Sequence, residues 1–215
     1  MSTLAEQLKE TNEAGRARIP APALAVMDAA TDALASSGVV GTSLDVGATA
    51  PDFTLPDARG GSVALGDVLR RGPVVLAFYR GGWCPYCNLE LRALQAVHAE
   101  IEAAGATLVA VSPETPDNSL STSERLELAF PVLSDEGNRV AERYGLVFTL
   151  PEDLRDVYDG FGIDLPKSNG DDTFRLPVPA TYVIRTDGTV AWRFADADYT
   201  KRAEPADVLA ALASL

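Results

Sequence analysis

The sequence predicts an α/β domain preceded by a helical extension. Two unbroken apolar runs, PVVLAFY at Pro73–Tyr79 and ATLVAV at Ala106–Val111, are typical of buried central strands. Helical patterns alternate with them, and a hairpin signal at Asp187–Gly188 precedes one more helix. We divide the chain into an N-terminal helical extension, residues 1–45, and the α/β domain, residues 46–215.

Two helical patterns fill the extension. The first spans about Thr3–Ala17 and has only Leu4 and Leu8 on one face. The second spans about Pro22–Ser36, ends near Gly38, and places four side chains on one face, namely Leu24, Met27, Thr31 and Leu34. Neither helix can form a core alone, so we expect both to pack on the main domain or on a second copy of the chain in a homodimer.

The elements of the main domain follow from apolar runs and turn residues. Short extended pieces come first, then the two buried strands, each followed by a helix, and finally the hairpin with its closing helix. One stretch, Pro151–Gly170, is interpreted as an insertion that borders the entrance to a site. The remaining predicted strands are Asp52–Leu55, Ser62–Leu65, Phe130–Leu133, Thr181–Arg185 and Thr189–Phe194. The predicted helices are one from the cysteine pair to about Ala104, one that begins at Ser112–Pro116, one near Gly137–Tyr144 and a closing helix at Glu204–Leu212.

Charge and hydropathy exclude several classes of partner. The formal net charge is −13, from 31 acidic and 18 basic residues, which argues against nucleic acid and against anionic membrane surfaces. No apolar run approaches the ~20 residues that span a bilayer. The N-terminus, MSTLAEQLKETNE, lacks the apolar core of a signal peptide. We therefore expect a cytoplasmic protein without a membrane partner.

The only two cysteines, Cys84 and Cys87, lie in the segment GGWCPYCN. A zinc site needs about four N or S ligands, and the single histidine, His98, lies roughly 16 Å along the helix from Cys87 at ~1.5 Å per residue. We expect His98 to pack instead. Haem attachment would require histidine where Asn88 stands. A structural disulfide closing so short a loop would stabilise the fold little. We expect no metal and no other cofactor.

Redox chemistry is the interpretation that suits this spacing. A C-x-x-C between a buried strand and a helix puts the thiols at the helix N-terminus, where unpaired N–H groups favour thiolate over thiol. Pro85 suits the first turn because it has no N–H to leave unpaired. The pair is predicted to interconvert between dithiol and disulfide.

Four stretches carry a family resemblance. The chain from about Gly47 to Phe194 resembles the alkyl hydroperoxide reductase/thiol-specific antioxidant family, the peroxiredoxins, and is most similar to a branch that carries C-x-x-C. The resemblance implies a thioredoxin-like fold, a mixed central sheet flanked by helices, and a thiol-dependent antioxidant oxidoreductase. The stretches are APDFTLPD (Ala50–Asp57), VVLAFYRGGWCPYCNLEL (Val74–Leu91), LSDEGNRVAERYGL (Leu133–Leu146) and PATYVIRTDGTV (Pro179–Val190).

Within this resemblance, two mechanisms are open. In the first, the chain is aligned with the peroxiredoxin motif P-x-x-x-T/S-x-x-C, and Cys87 takes the position of the cysteine that attacks peroxide. Cys84 then stands where the family has Thr or Ser, and Arg80 stands where it has Pro. The position of the family's distant arginine is occupied by Pro179. Cys84 then condenses with the sulfenic acid of Cys87. On the thioredoxin pattern, Pro179 is a cis-proline facing the thiols, and Cys84 is the nucleophile on a substrate disulfide. The alternative for Pro179 is an ordinary trans proline that opens a strand.

We favour hydroperoxide reduction, with Cys87 attacking first and an external thioredoxin- or glutaredoxin/glutathione-type donor recycling the disulfide. The alternatives are a protein disulfide oxidoreductase and a non-catalytic redox sensor or assembly module. Trp83 and Tyr86 are expected to shape the substrate surface or simply to pack. Arg80 either stabilises a thiolate or peroxide oxygen or forms a surface salt bridge, and Glu90 is expected to support local structure.

Overall fold

The computed structural model describes residues 2–215. Eleven α-helices, nine strands and one 3₁₀ turn (Glu136–Asn138) alternate along this range. The helices are α1 (Leu4–Arg16), α2 (Ala21–Ser36), α3 (Val39–Thr42), α4 (Leu65–Leu69), α5 (Pro85–Ala96), α6 (His98–Ala103), α7 (Pro116–Arg125), α8 (Arg139–Arg143), α9 (Glu152–Gly160), α10 (Leu165–Asn169) and α11 (Pro205–Ala213). The strands are β1 (Thr54–Pro56), β2 (Ser62–Ala64), β3 (Val74–Phe78), β4 (Thr107–Ser112), β5 (Val132–Ser134), β6 (Val147–Thr149), β7 (Arg175–Pro177), β8 (Ala180–Ile184) and β9 (Val190–Ala195).

A five-stranded mixed sheet in the order β5-β4-β3-β8-β9 forms the centre of the domain. Strand β3 runs parallel to β4 and antiparallel to β8, with Phe78 opposite both Val111 and Ala180. All five residues of β3 are buried, because apolar side chains cover both faces of the sheet. The mixed α/β architecture of a thioredoxin-like fold is thus confirmed.

Several predicted boundaries shift by one or two residues, and three features differ more. The helix after the cysteine pair is two helices, α5 and α6, because Val97 leaves the helical region (φ −105°, ψ 9°). Helix α4 was not predicted. Besides the central sheet there are two two-stranded sheets, one that pairs β1 with β2 and one that pairs β6 with β7. The β6–β7 sheet encloses the insertion Pro151–Gly170, which holds α9 and α10.

The N-terminal extension packs on the main domain. Leu4 and Leu8 of α1 are buried, and α1 lies against α5. The carboxylate of Glu204 accepts hydrogen bonds from the N–H groups of Leu4 and Ala5, at 3.2 and 2.6 Å, and so caps α1 from the C-terminal segment. Helix α2 lies against α9 of the insertion. The division of the chain at residue 45 stays a prediction.

By length and composition alone, the helical stretch Ala21–Thr42 could cross a membrane. The stretch contains no uninterrupted apolar run of that length, since Asp28 and Asp32 interrupt it, but its many small apolar residues keep its average hydropathy high. In the structure the stretch is divided between α2 and α3 at Gly38, whose φ is 78°. Helix α2 has no fully buried residue, so it is an apolar helix at the surface.

Candidate active site

Two glycines form the tight turn that leads from β3 into α5. Gly81 has φ 151°, and a Cβ at Gly82 would lie 1.9 Å from Oγ1 of Thr122. No larger residue fits either position without moving its neighbours. The N–H of Gly82 donates to Oε2 of Glu114 at 2.9 Å, and its carbonyl accepts from Nη2 of Arg125 at 3.0 Å. These two hydrogen bonds therefore fix the turn that precedes Cys84.

The two thiols occupy the first turn of α5. Cys84 is the N-cap residue, Pro85 is the first helical residue, and Cys87 follows within the first turn. Both cysteines are in the reduced form and both are buried, with 1% and 0% exposure. Pro85 thus lies in the first turn, as predicted.

The two thiols have unequal affinities for a proton. Burial by itself raises the pKa of Cys84, but hydrogen bonds from the thiol and the backbone N–H of Cys87, together with the charges of Arg80 and Arg202, outweigh burial and lower the pKa to about 6. Burial and the neighbouring Cys84 sulfur raise the pKa of Cys87. The direction of these two shifts means that the pair holds one negative charge readily, stabilised by the two guanidinium groups.

Arg202, in the loop before α11, lies beside both cysteines. Its Nη2 donates to Sγ of Cys87 at 3.0 Å, and its Nε donates to the carboxylate of Glu90. Glu90 also accepts from Oγ1 of Thr181 at 3.2 Å. All four side chains are buried. Glu90 therefore positions the guanidinium that touches Cys87.

Arg80 supplies a second buried guanidinium, 2% exposed. Its charge lies over the rings of Trp83, Tyr158 and Tyr199, at 5.0, 5.7 and 4.7 Å from their centroids, and it donates a hydrogen bond to the Tyr158 hydroxyl. Among residues 2–215 no carboxylate forms an ion pair with it. The alternative of a surface salt bridge is wrong, and the charges of the two thiols interact with that of Arg80.

Two mainly apolar cavities meet at Arg80, Tyr158 and Tyr199. The larger, about 410 Å³, opens on Cys84 and lies between α1, α2 and the insertion. The smaller, about 260 Å³, lies between α2, β6 and α9. Cys87 lines neither cavity. The larger cavity is lined by Thr11, Ala14, Gly15, Arg18, Ile19, Met27, Arg80, Trp83, Cys84, Pro85, Tyr86, Tyr158, Phe161, Ile163 and Tyr199.

Residues from the insertion line both cavities, so the prediction that it borders the entrance is confirmed. Trp83 and Tyr86 also line the larger cavity, as expected of residues that shape a substrate surface. The Tyr86 hydroxyl donates to Oδ1 of Asn12 in α1 at 3.2 Å. His98 packs beside the ring of Phe130, with 5.7 Å between centroids, which confirms its packing role.

The predicted cis-proline is wrong: residues 2–215 contain no cis peptide bond. Pro179 lies between β7 and β8 and lines the smaller cavity. The N–H of the preceding Val178 donates to the carbonyl of Leu146 at 2.8 Å, which keeps the chain extended into β8. The position where the peroxiredoxin alignment expected an arginine holds Pro179, and the arginine that contacts Cys87 is Arg202, from a different segment.

Several residues of the site escaped sequence reasoning. Arg202 lies in the segment TKRAEP, where nothing marks it as different from an exposed arginine. Glu114 follows β4 and is 3% exposed; burial raises the pKa of its carboxyl to about 7, opposed by the hydrogen bond from Gly82. Tyr158 and Tyr199 are separated from the cysteines by more than 70 residues. Of these residues, only Glu114 could have been identified as a candidate from the sequence, because it closely follows a buried strand.

Comparisons with known proteins agree with this site. The model of the AhpC/TSA family matches residues 46–193. The chain is 33% identical over 175 residues to the chloroplastic peroxiredoxin Q of Triticum aestivum, covering 81% of this chain and 70% of the relative. It is 33% identical over 105 residues to the putative peroxiredoxin bcp of Coxiella burnetii, covering 49% and 69%.

Among solved structures, peroxidoxin BcpB from Mycobacterium tuberculosis superposes with a TM-score of 0.63 and 25% identity, over 80% of this chain and 98% of that one. The matched residues include β3, the two thiols and α5, which are the elements that build the site. The chain therefore belongs to the AhpC/TSA family, and it is a peroxiredoxin-like thiol peroxidase with a thioredoxin-type fold.

Proposed function

We propose that the protein reduces hydroperoxides through a dithiol–disulfide cycle of Cys84 and Cys87. The observation that carries this proposal is the position of the two sulfurs in the first turn of α5, next to the guanidinium groups of Arg80 and Arg202. A thiolate is the nucleophile, and two fixed cations stabilise the negative charge that develops on the leaving oxygen.

The cycle begins when a cysteine thiolate attacks the terminal oxygen of the hydroperoxide. The O–O bond breaks, the sulfur becomes a sulfenic acid, and the alkoxide takes a proton to leave as an alcohol, or as water when the substrate is hydrogen peroxide. The second cysteine then attacks the sulfenic sulfur, and water leaves as the disulfide forms. Two electrons have moved from the thiols to the peroxide, and an external thiol donor must return them.

Two sets of observations bear on which cysteine attacks first. The family motif puts the attacking cysteine at Cys87, and the hydrogen bond from Arg202 would stabilise a thiolate there. Cys84, however, is the thiol that a substrate in the larger cavity can reach, and it is also the thiol whose pKa is lowered. We therefore propose that Cys84 attacks and Cys87 resolves. The opposite order stays a prediction of the family motif, and the serine variants discussed below separate the two.

The electron donor, the cellular location and the oligomeric state of the protein are also proposals. A thioredoxin- or glutaredoxin/glutathione-type donor would complete the cycle, and the cytoplasm would supply either. The absence of any fully buried residue in the apolar helix α2 supports a homodimer formed through this helix. Sedimentation of the purified protein over a range of concentrations tests that assembly.

The test of the proposed function is steady-state consumption of hydrogen peroxide and of an organic hydroperoxide, with thioredoxin, glutaredoxin or glutathione as the recycling donor. A parallel assay measures the reduction of a protein disulfide. Peroxide turnover that exceeds disulfide reduction supports the peroxidase. Faster disulfide reduction would favour the oxidoreductase alternative, and one stoichiometric oxidation without recycling would favour the redox sensor.

A further inference from the structure

The N-terminal helices limit access to the cysteine pair. Both sulfurs are buried, and of the pair only Cys84 lines a cavity. That cavity, about 410 Å³, lies within the ~300–1,000 Å³ typical of small-molecule sites. A protein disulfide reductase must bring its own thiolate into contact with one of these sulfurs, so the walls of the cavity decide which reductants can react.

The walls on the side of the extension are held by specific contacts. Tyr86 bonds to Asn12 of α1, and Arg16 of α1 forms two hydrogen bonds with the carboxylate of Asp28 in α2, at 2.7 and 2.8 Å. Glu204 caps the N-terminus of α1. The two helices are thus tied to each other, to the cysteine-bearing segment and to the C-terminal segment. Their position over Cys84 is part of the folded structure.

The arginines that line this cavity are positively charged, although the net charge of the whole chain is negative. Although the formal net charge is −13, the only ionised side chains at neutral pH among the lining residues, apart from Cys84 itself, are Arg18 and Arg80. Arg18 is exposed, and no carboxylate of residues 2–215 forms an ion pair with it. Arg80 is buried. A small molecule entering this cavity would therefore meet two cations next to one sulfur.

We propose that the physiological reductant of the Cys84–Cys87 disulfide is a low-molecular-weight thiol that carries carboxylate groups and enters through this cavity. The proposal rests on the disulfide cycle of the proposed function. The incoming thiolate attacks Sγ of Cys84, the disulfide breaks, and Cys87 leaves as a thiolate that takes up a proton. A second molecule of the thiol attacks the mixed disulfide at its own sulfur, releasing reduced Cys84 and a small disulfide.

The test measures this reductive step alone. The disulfide is formed with diamide rather than peroxide, so a failure of peroxidase activity does not affect the result. The oxidised protein is then mixed with glutathione, with 2-mercaptoethanol, or with reduced thioredoxin, and the return of the dithiol is followed by a gain of two hydrogens in the mass spectrum. Rates are compared at equal thiolate concentration.

We expect glutathione to react faster than the uncharged 2-mercaptoethanol, and thioredoxin to react no faster than glutathione. Arg18→Gln should slow glutathione about threefold, the size of effect that an exposed ion pair supports, and leave 2-mercaptoethanol unchanged. Arg71→Gln is the matched control, because Arg71 is exposed and lines neither cavity. Faster reduction by thioredoxin would overturn the proposal, as would equal rates of Arg18→Gln and Arg71→Gln with glutathione.

Discussion

Arg202 donates a hydrogen bond to Sγ of Cys87 across 3.0 Å, although 115 residues separate the two in the chain. The same guanidinium pairs with Glu90, about one helical turn beyond Cys87, and donates to the carbonyl groups of Tyr199 and Lys201. The C-terminal segment is therefore part of the active site. Its arginine is also linked to the stability of the fold, because Glu90 and Arg202 are both buried and each compensates the charge of the other.

This pairing predicts separable effects on stability and on activity. Arg202→Met leaves Glu90 buried without its partner and should lower the free energy of unfolding by about 3–5 kcal/mol. Adding Glu90→Leu removes the stranded carboxyl and should restore much of that loss, whereas peroxide reduction should stay low because both thiols have lost the charge of Arg202, which lowers their pKa. Urea unfolding and single-turnover peroxide kinetics on both variants measure the two effects. Recovery of full activity in the double variant would contradict the assigned function of Arg202.

The ionisation of Cys84 predicts the pH dependence of oxidation. Its pKa is lowered to about 6, below the ~8.5 of an ordinary thiol. The rate of disulfide formation by peroxide should rise as the pH passes 6 and be level above pH 7. The same shift stabilises the fold fully above pH ~8.5, and this contribution is lost as the pH falls through 6. Stopped-flow tryptophan fluorescence across this range tests the profile; a rate that still climbs between pH 8 and 9 would disagree with it.

The order of attack predicts opposite outcomes for two serine variants. If Cys84 attacks first, Cys87→Ser should form a trappable sulfenic acid at position 84 in one turnover, and Cys84→Ser should not react. If Cys87 attacks first, as the family motif predicts, Cys84→Ser should form the sulfenic acid. Labelling with a sulfenic-acid probe, followed by peptide mass spectrometry, identifies the oxidised position.

The insertion predicts substrate selectivity. Phe161, 42% exposed, lines the larger cavity, so Phe161→Ala should widen it. We expect the ratio of kcat/KM for a bulky organic hydroperoxide to that for hydrogen peroxide to rise several-fold. Val46→Ala is the control, since Val46 is exposed and lines neither cavity. An unchanged ratio in Phe161→Ala would mean that the insertion does not restrict access.

The glycine turn before the cysteines predicts a localised loss of stability. A methyl group at Gly82 would lie 1.9 Å from Oγ1 of Thr122, so Gly82→Ala should destabilise the fold by about 1–3 kcal/mol. Thr122→Ala in the same chain should recover part of that loss by removing the hydroxyl. Gly41→Ala, where a methyl group meets nothing within 4 Å, is the control. Thermal unfolding of the four proteins provides the comparison.

The sequence by itself determined the local features of this protein. The apolar runs specified β3 and β4, and the spacing of Cys84 and Cys87 after β3 specified a redox-active helix start, because each of these features depends on neighbours in the chain. The same reasoning located the insertion and its position at the entrance. It also identified Arg80 as a candidate, although it could not distinguish a buried cation from a surface one.

Only the tertiary structure decided which distant residues complete the site. Arg202 reaches Cys87, and Tyr158 and Tyr199 reach Arg80, through the packing of loops and helices against the sheet, and no local pattern encodes either approach. The peptide before Pro179 is trans, and the N–H of Val178 beside it bonds to the carbonyl of Leu146, more than 30 residues away in the chain. The cavity over Cys84 likewise exists because α1, α2 and the insertion, each unremarkable in sequence, close around one sulfur.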